Sequence, residues 1–169
     1  MRRTSVVLAA VTAGALAAPL LAGSAGAASP PAPKLTSVTA HTAGSELEID
    51  FVERNLVPGQ NYAYVGSSPK AIETFQCYRS STFTPLPHTY KLSTTVTVPD
   101  PRGYTANANG VVKGFVFVDA GIVGRRECKG PDQEDVPIHV TFVDYQLVDL
   151  FTTSYVQVQG RISGPIEPD

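Results

Sequence analysis

The stretch Glu46-Leu47-Glu48-Ile49-Asp50-Phe51 decides the fold class. Its apolar residues alternate with acids, so Leu47, Ile49 and Phe51 point to one side and Glu46, Glu48 and Asp50 to the other. An extended strand with one buried and one wet face has that period. A longer run, Ile138 to Leu150, behaves the same way. Ile138, Val140 and Phe142 share one face, and Tyr145, Leu147 and Asp149 continue it after a bulge predicted at Val143-Asp144.

Outward from these two runs the same period recurs more weakly. Leu35 to Ala40, Asn61 to Val65, Glu73 to Tyr78, Tyr90 to Val98, Val111 to Val118 and Thr152 to Ile162 all read as strands. Tyr62 and Tyr64 share a face, as do Val112, Gly114, Val116 and Val118. Between them stand turn clusters: Val57-Pro58-Gly59-Gln60, Pro99-Asp100-Pro101-Arg102-Gly103 and Asn107-Ala108-Asn109-Gly110. One helical turn is expected at Ser68-Pro69-Lys70-Ala71-Ile72, with Ser68 as its cap. Arg79 to Thr89 and Gly124 to Asp135 read as loops. No segment has apolar residues spaced by three and four over ten positions. The pattern therefore predicts an all-β fold: an antiparallel β-sandwich, immunoglobulin-like, of about seven or eight strands. The chain has no Trp and Cys128 falls in a loop, so an immunoglobulin-type pin between sheet centres is not expected.

The ends set the compartment. Arg2 and Arg3 precede an apolar run from Val6 to Leu21, and small residues from Ala22 to Ala28 offer cleavage after Ala27 or Ala28. These are the three parts of a secretory signal peptide. The predicted organisation is a signal peptide over 1–28, a Pro-rich leading segment over 29–34, the sandwich over 35–163 and a C-terminal tail over 164–169. No cysteine near the cleavage region offers lipid attachment. The expectation is a secreted, extracellular protein with no membrane association after cleavage. Cleavage leaves 11 basic against 15 acidic residues, a net charge of −4 with His neutral. That balance argues against a nucleic-acid binder, which would show a basic face.

The two cysteines, Cys77 and Cys128, are expected to pair in an oxidising compartment; free thiols or an intermolecular bridge are the alternatives. The intramolecular bridge closes a loop of about 50 residues and constrains the unfolded chain by roughly 3–4 kcal/mol. It is expected to pin the charged loop to the sheet.

The chemistry-bearing residues are sparse. His41, His88 and His139 stand apart from one another and from the cysteines, so no metal site is expected. Ser163, in Gly160-Arg161-Ile162-Ser163-Gly164, lacks the spacing of a nucleophile elbow. Asp132-Gln133-Glu134-Asp135 lacks the Gly and spacing of a calcium-binding EF-hand loop. No catalytic residue and no cofactor is predicted. Two loops stand out for contact: Phe83, Leu86 and His88 in the Pro-rich loop, and Arg125 and Arg126 just before Cys128. The predicted function is a non-enzymatic module that binds an extracellular ligand or cell-envelope component through its loops. The alternative is a protease inhibitor presenting the dibasic pair. The sequence leaves the ligand and the oligomeric state open.

Phe51 with Glu53, Leu56, Pro58-Gly59-Gln60, the tyrosine strand, Cys77, and Cys128 followed by Val140-x-x-Val143-x-Tyr145-x-x-Val148-Asp149 form a soft pattern across most of this domain. In it the chain resembles a group of small, uncharacterised secreted proteins of actinobacteria. That group usually has Asn/Gly-rich residues after its first Cys and Pro/Gly after its second. Here Tyr78-Arg79-Ser80 and Lys129-Gly130-Pro131 stand instead. The resemblance implies a β-sandwich with one disulfide and implies no known activity, so it transfers no functional residue.

Overall fold

The computed structural model describes residues 29–96, 100–121 and 127–167. The signal-peptide region and the dibasic pair Arg125 and Arg126 lie outside them. The described residues form nine strands: β1 (Lys34–Ala43), β2 (Glu46–Arg54), β3 (Asn61–Ser67), β4 (Lys70–Arg79), β5 (Thr84–Thr94), β6 (Arg102–Thr105), β7 (Val112–Asp119), β8 (Gln133–Asp149) and β9 (Tyr155–Pro165). All pairings are antiparallel. The three-stranded sheet has the order β1-β2-β7, and the other six strands make the second sheet. The two sheets pack face to face, as the alternating pattern predicts.

The six-stranded sheet is organised around β8. Its residues 139–143 pair with both β4 and β9, and residues 146–148 pair with both β3 and β9. A strand has only two edges, so β3 and β4 lie end to end along one side of β8 and β9 along the other. The joint comes at the bulge. On β8 the buried residues are Val136, Val140 and Phe142 before Asp144, and Tyr145, Leu147 and Asp149 after it. Asp144 takes a left-handed φ of 55°, and its carboxylate accepts the N–H of Gly160 at 2.8 Å. Across from it the chain breaks at Ser68-Pro69. The buried positions change from Tyr62 and Tyr64 to Ala71, Glu73, Phe75 and Cys77. A one-residue slip would expose the whole inner face; slipping both strands at the same level keeps it inside. The expected helical turn at Ser68–Ile72 is absent. Instead Ser68 Oγ donates within the break, lying 3.2 Å from the Lys70 carbonyl and 3.1 Å from that of Val143.

Two further departures have simple causes. The loop expected over Arg79–Thr89 becomes strand from Thr84 onward. Pro85 and Pro87 are tolerated there because β5 is an edge strand, whose outward positions need no N–H. The ninth strand, β6, forms from Arg102-Gly103-Tyr104-Thr105, where composition shows only a turn.

The core lies between Leu47, Ile49, Phe51, Val112, Val116 and Val118 on one sheet and Tyr62, Tyr64, Val140, Phe142 and Leu147 on the other. Phe51 packs on Tyr64 with ring centroids 4.2 Å apart, and Tyr104 meets Phe51 edge-on at 5.6 Å. Gly66 lets the sheets close: a Cβ there would stand 2.9 Å from methyls of Val116 and Val118.

Candidate functional site

Two ends of the sandwich carry exposed features. The first is the tip where β4, β5 and the start of β8 extend past the three-stranded sheet. Cys77 on β4 is disulfide-bonded to Cys128 in the loop before β8, with Cα atoms 5.6 Å apart. The bridge pins loop to sheet, as expected. Asp135 gathers this tip. Its Oδ1 accepts the Tyr90 hydroxyl and the N–H groups of Glu127 and Cys128, the latter two at 3.2 and 3.1 Å. Burial and the hydrogen bond to Asp135 push the Tyr90 pKa up to about 12. Asp132 holds the β4–β5 turn by accepting the N–H and hydroxyl of Ser81 at 2.9 and 2.7 Å. Those bonds keep its carboxyl below the usual range.

Of the predicted contact residues, Phe83, Leu86 and His88 reach this tip but do not form one patch; Arg125 and Arg126 lie outside the described residues. Phe83, at a left-handed φ of 47°, stacks on Tyr78 with centroids 4.8 Å apart. Leu86 lines a separate shallow pocket of about 130 Å³ with Arg79 and Gly130 to Gln133. His88 stacks on Tyr90 and lies 4.0 Å from Glu127.

The second end is formed by segments 29–34, 54–61, 105–113 and 150–155. Six large apolar side chains are exposed among the described residues, and four are here: Val57 (60 %), Leu150 (50 %), Phe151 (61 %) and Tyr155 (69 %). Exposed apolar groups are ordinary one at a time, and a cluster of them marks a contact surface. The loops that carry them are firmly built. Tyr62 links two of them: its hydroxyl accepts the Val57 N–H at 2.8 Å, and its ring meets Phe151 at 6.0 Å. Leu56 N–H donates to Gly110 O, Gly59 N–H to Ala106 O, and Leu150 N–H to Ala63 O. Asn55 reaches the Ala32 carbonyl at 3.0 Å. Beside these loops runs an open groove of about 430 Å³ between Pro33 to Leu35 and Thr153 to Val156.

Beneath this surface two carboxylates meet across the sheets. Glu53 of β2 and Asp149 of β8 are both fully buried. Thr152 Oγ1 sits between them, 2.7 Å from Asp149 Oδ2 and 3.4 Å from Glu53 Oε1. Asp149 also accepts the Phe151 N–H at 2.8 Å, which shapes the loop. Glu53 Oε2 and the Tyr64 hydroxyl have no hydrogen-bond partner among the described residues. Burial drives the Glu53 pKa up and Asp149 adds to the rise, while the nearby Tyr64 hydroxyl tempers it without reaching hydrogen-bond geometry. Two acids in unlike environments are the raw material of acid–base chemistry. Here neither exposes any surface and Thr152 closes over them. Thr153, in the same loop, is β-branched at a left-handed φ of 58°, a strained conformation for such a residue.

The remaining candidates are dispersed. His41 lies 3.7 Å from both Glu48 and Asp50 on the outer face of the three-stranded sheet. His139 is half-buried on β8. Among the described residues, one group of three or more metal-ligating types comes together, Cys77, Cys128 and Asp135, and its sulfurs are joined in the disulfide. No helix among the described residues is long and apolar enough to cross a membrane.

Sequence reading missed this loop end because its four apolar residues come from two connections about 90 positions apart, Val57 between β2 and β3 and the others between β8 and the start of β9. Each is unremarkable alone. Glu53 carried one usable signal: it continues the inward alternation of Leu47, Ile49 and Phe51. Protein-family models and curated proteins contain no match to this chain.

Proposed function

We propose that this protein is an extracellular, non-enzymatic binding module that engages its ligand through the loop end of the sandwich. One observation carries the reading: Val57, Leu150 and Phe151, on loops held by backbone hydrogen bonds, are exposed together with Tyr155 at the start of β9. A preformed apolar surface loses little conformational freedom on binding. The Cys77–Cys128 bridge suits an oxidising compartment, and the predicted leader supplies the route there. The closure of Glu53 and Asp149 favours binding over catalysis. The test is sedimentation of the protein recovered from culture medium with washed cell-envelope fragments of the producing organism. Binding that falls in a Leu150→Ala/Phe151→Ala variant supports the reading. Absence of binding, or binding indifferent to that pair, rejects it.

A second reading, protease inhibition through Arg125 or Arg126, draws on the anchoring of the next two residues. Glu127 and Cys128 are tied to Asp135 and β4, which would stiffen one flank of an inhibitory loop. Titration of trypsin-like proteases tests it, and full activity at micromolar protein removes it.

A further inference from the structure

The charges around the apolar loops name a partner class; this step rests on the loop end being the contact surface. The segments 29–34, 54–61, 105–113 and 150–155 contain three charged residues, Lys34, Arg54 and Lys113. All are basic and all are exposed. None has a salt-bridge partner among the described residues. No acidic residue lies in these segments, although acids outnumber bases 15 to 13 in the whole chain. The two acids at their borders, Glu53 and Asp149, are fully buried. Lys34 pairs with Arg54 across β1 and β2, and Lys113 with Val52 across β2 and β7. The bases therefore spread across one end of the three-stranded sheet, beside the apolar loops.

We propose that this end docks on an anionic lipid surface, with Val57, Leu150 and Phe151 entering the headgroup boundary and Lys34, Arg54 and Lys113 meeting the phosphates. Short apolar tips beside a row of bases match the two layers of such an interface: hydrocarbon below, negative charge above. Tyr155, with an apolar ring and a polar end, suits the level between them. Of the outward acids on the three-stranded sheet, Glu46 and Asp119 are paired at its opposite end, while Glu48 and Asp50 lie midway beside His41, with Asp50 lining the same shallow depression as Lys113. A protein partner recognised mainly by apolar contact would not require these four segments to be free of acids. Membrane contact was not expected from the sequence because this surface contains no apolar span and is assembled from four distant segments.

The experiment is co-sedimentation of the protein from culture medium with vesicles of phosphatidylglycerol and phosphatidylcholine, and with phosphatidylcholine alone. Binding to the anionic vesicles is expected, weaker at high salt and weak or absent on the neutral ones. Phe151→Ala is expected to lower partitioning about tenfold. Arg54→Gln is expected to lower it about fivefold. Phe83→Ala, at the far tip, leaves it unchanged. Because Phe151 and Arg54 are exposed, a melting temperature equal to the parent's separates lost binding from lost folding, and Leu150→Ser gives an independent variant. Failure to bind anionic vesicles, equal binding to both lipids, or indifference to Phe151→Ala overturns the proposal. Lipid-extracted envelope fragments separate the two claims. If they still bind in a loop-dependent way, the lipid is wrong and the binding module stands. If neither they nor vesicles bind, both readings fall.

Discussion

The hydroxyl of Tyr104 both accepts the N–H of Phe115, at 3.0 Å, and donates to the carbonyl of the same residue. Phe115 lies on β7, the edge strand of the three-stranded sheet, and Tyr104 on β6 of the other. One side chain therefore substitutes for a missing neighbour strand and joins the two layers. The Tyr104 ring lies over Gly114, where a Cβ would stand 2.5 Å from it. Tyr104→Phe is expected to cost about 1 kcal/mol, since this exposed edge can turn to water. Gly114→Ala is expected to cost about 1–3 kcal/mol by forcing the ring aside. The two losses should be non-additive in a double-mutant cycle measured by urea unfolding. Simple additivity would show that the ring and the glycine do not act together.

Glu53 sets a pH dependence. Its pKa is raised from 4.5, first by burial and then by Asp149. The native state thus holds this proton more tightly than the unfolded chain. The stability it contributes is full below the ordinary carboxylate pKa and is lost as pH rises through the raised one. Glu73, raised by burial and by Asp119, acts with the same sign. Thermal melts across this range should show Glu53→Gln with a shallower decline than the parent and a higher melting temperature at neutral pH. A variant with an unchanged slope would mean that Glu53 does not carry the effect.

The disulfide spans 51 positions. Replacing Cys77 and Cys128 together by Ser should lower the unfolding free energy by about 4 kcal/mol on the chain-entropy account. Proteolysis should then begin around 127–135, where the bridge and Asp135 hold the loop. Vesicle binding by the opposite end should survive in the fraction that remains folded.

Gly66 tests how closely the sheets approach. Gly66→Ala should cost about 1–3 kcal/mol by overpacking, because Val116, Val118 and Ile49 surround the site. Trimming Val116 to Ala in the same chain should recover part of the loss. If Gly66→Ala melts with the parent, the sheets are free to shift and the close approach is not a constraint.

Phe151→Ala should leave chemical stability within about 0.5 kcal/mol of the parent, since the ring is largely exposed. Tyr62→Phe should cost about 1 kcal/mol, because its hydroxyl accepts the Val57 N–H. Urea unfolding of both separates the residue displayed at this end from the one that supports it.

Alternation alone determined that the chain is β, which residues of β2 and β7 face inward, that Val140, Phe142, Tyr145, Leu147 and Asp149 of β8 do so, and that β8 bulges near Asp144. Those features depend on the two-residue period of an extended chain, which is local and readable in order. Ile138, expected on the same face, is only half-buried because the register with β4 also shifts beside it. The pairing of Cys77 with Cys128 was legible from the number of cysteines. The strand character of Thr84 to Thr89 was not, because Pro85 and Pro87 argue against a strand until its edge position is known. Only the tertiary structure decided where β3 gives way to β4, since that break answers a bulge about 75 residues away. The loop end belongs to the same class. Val57, Leu150, Phe151 and Tyr155 become a surface, and Lys34, Arg54 and Lys113 a basic row beside it, only when four distant segments meet. Glu53 and Asp149 become a pair only when the two sheets close on each other. Proximity across the sandwich is set by packing, and no local period encodes it.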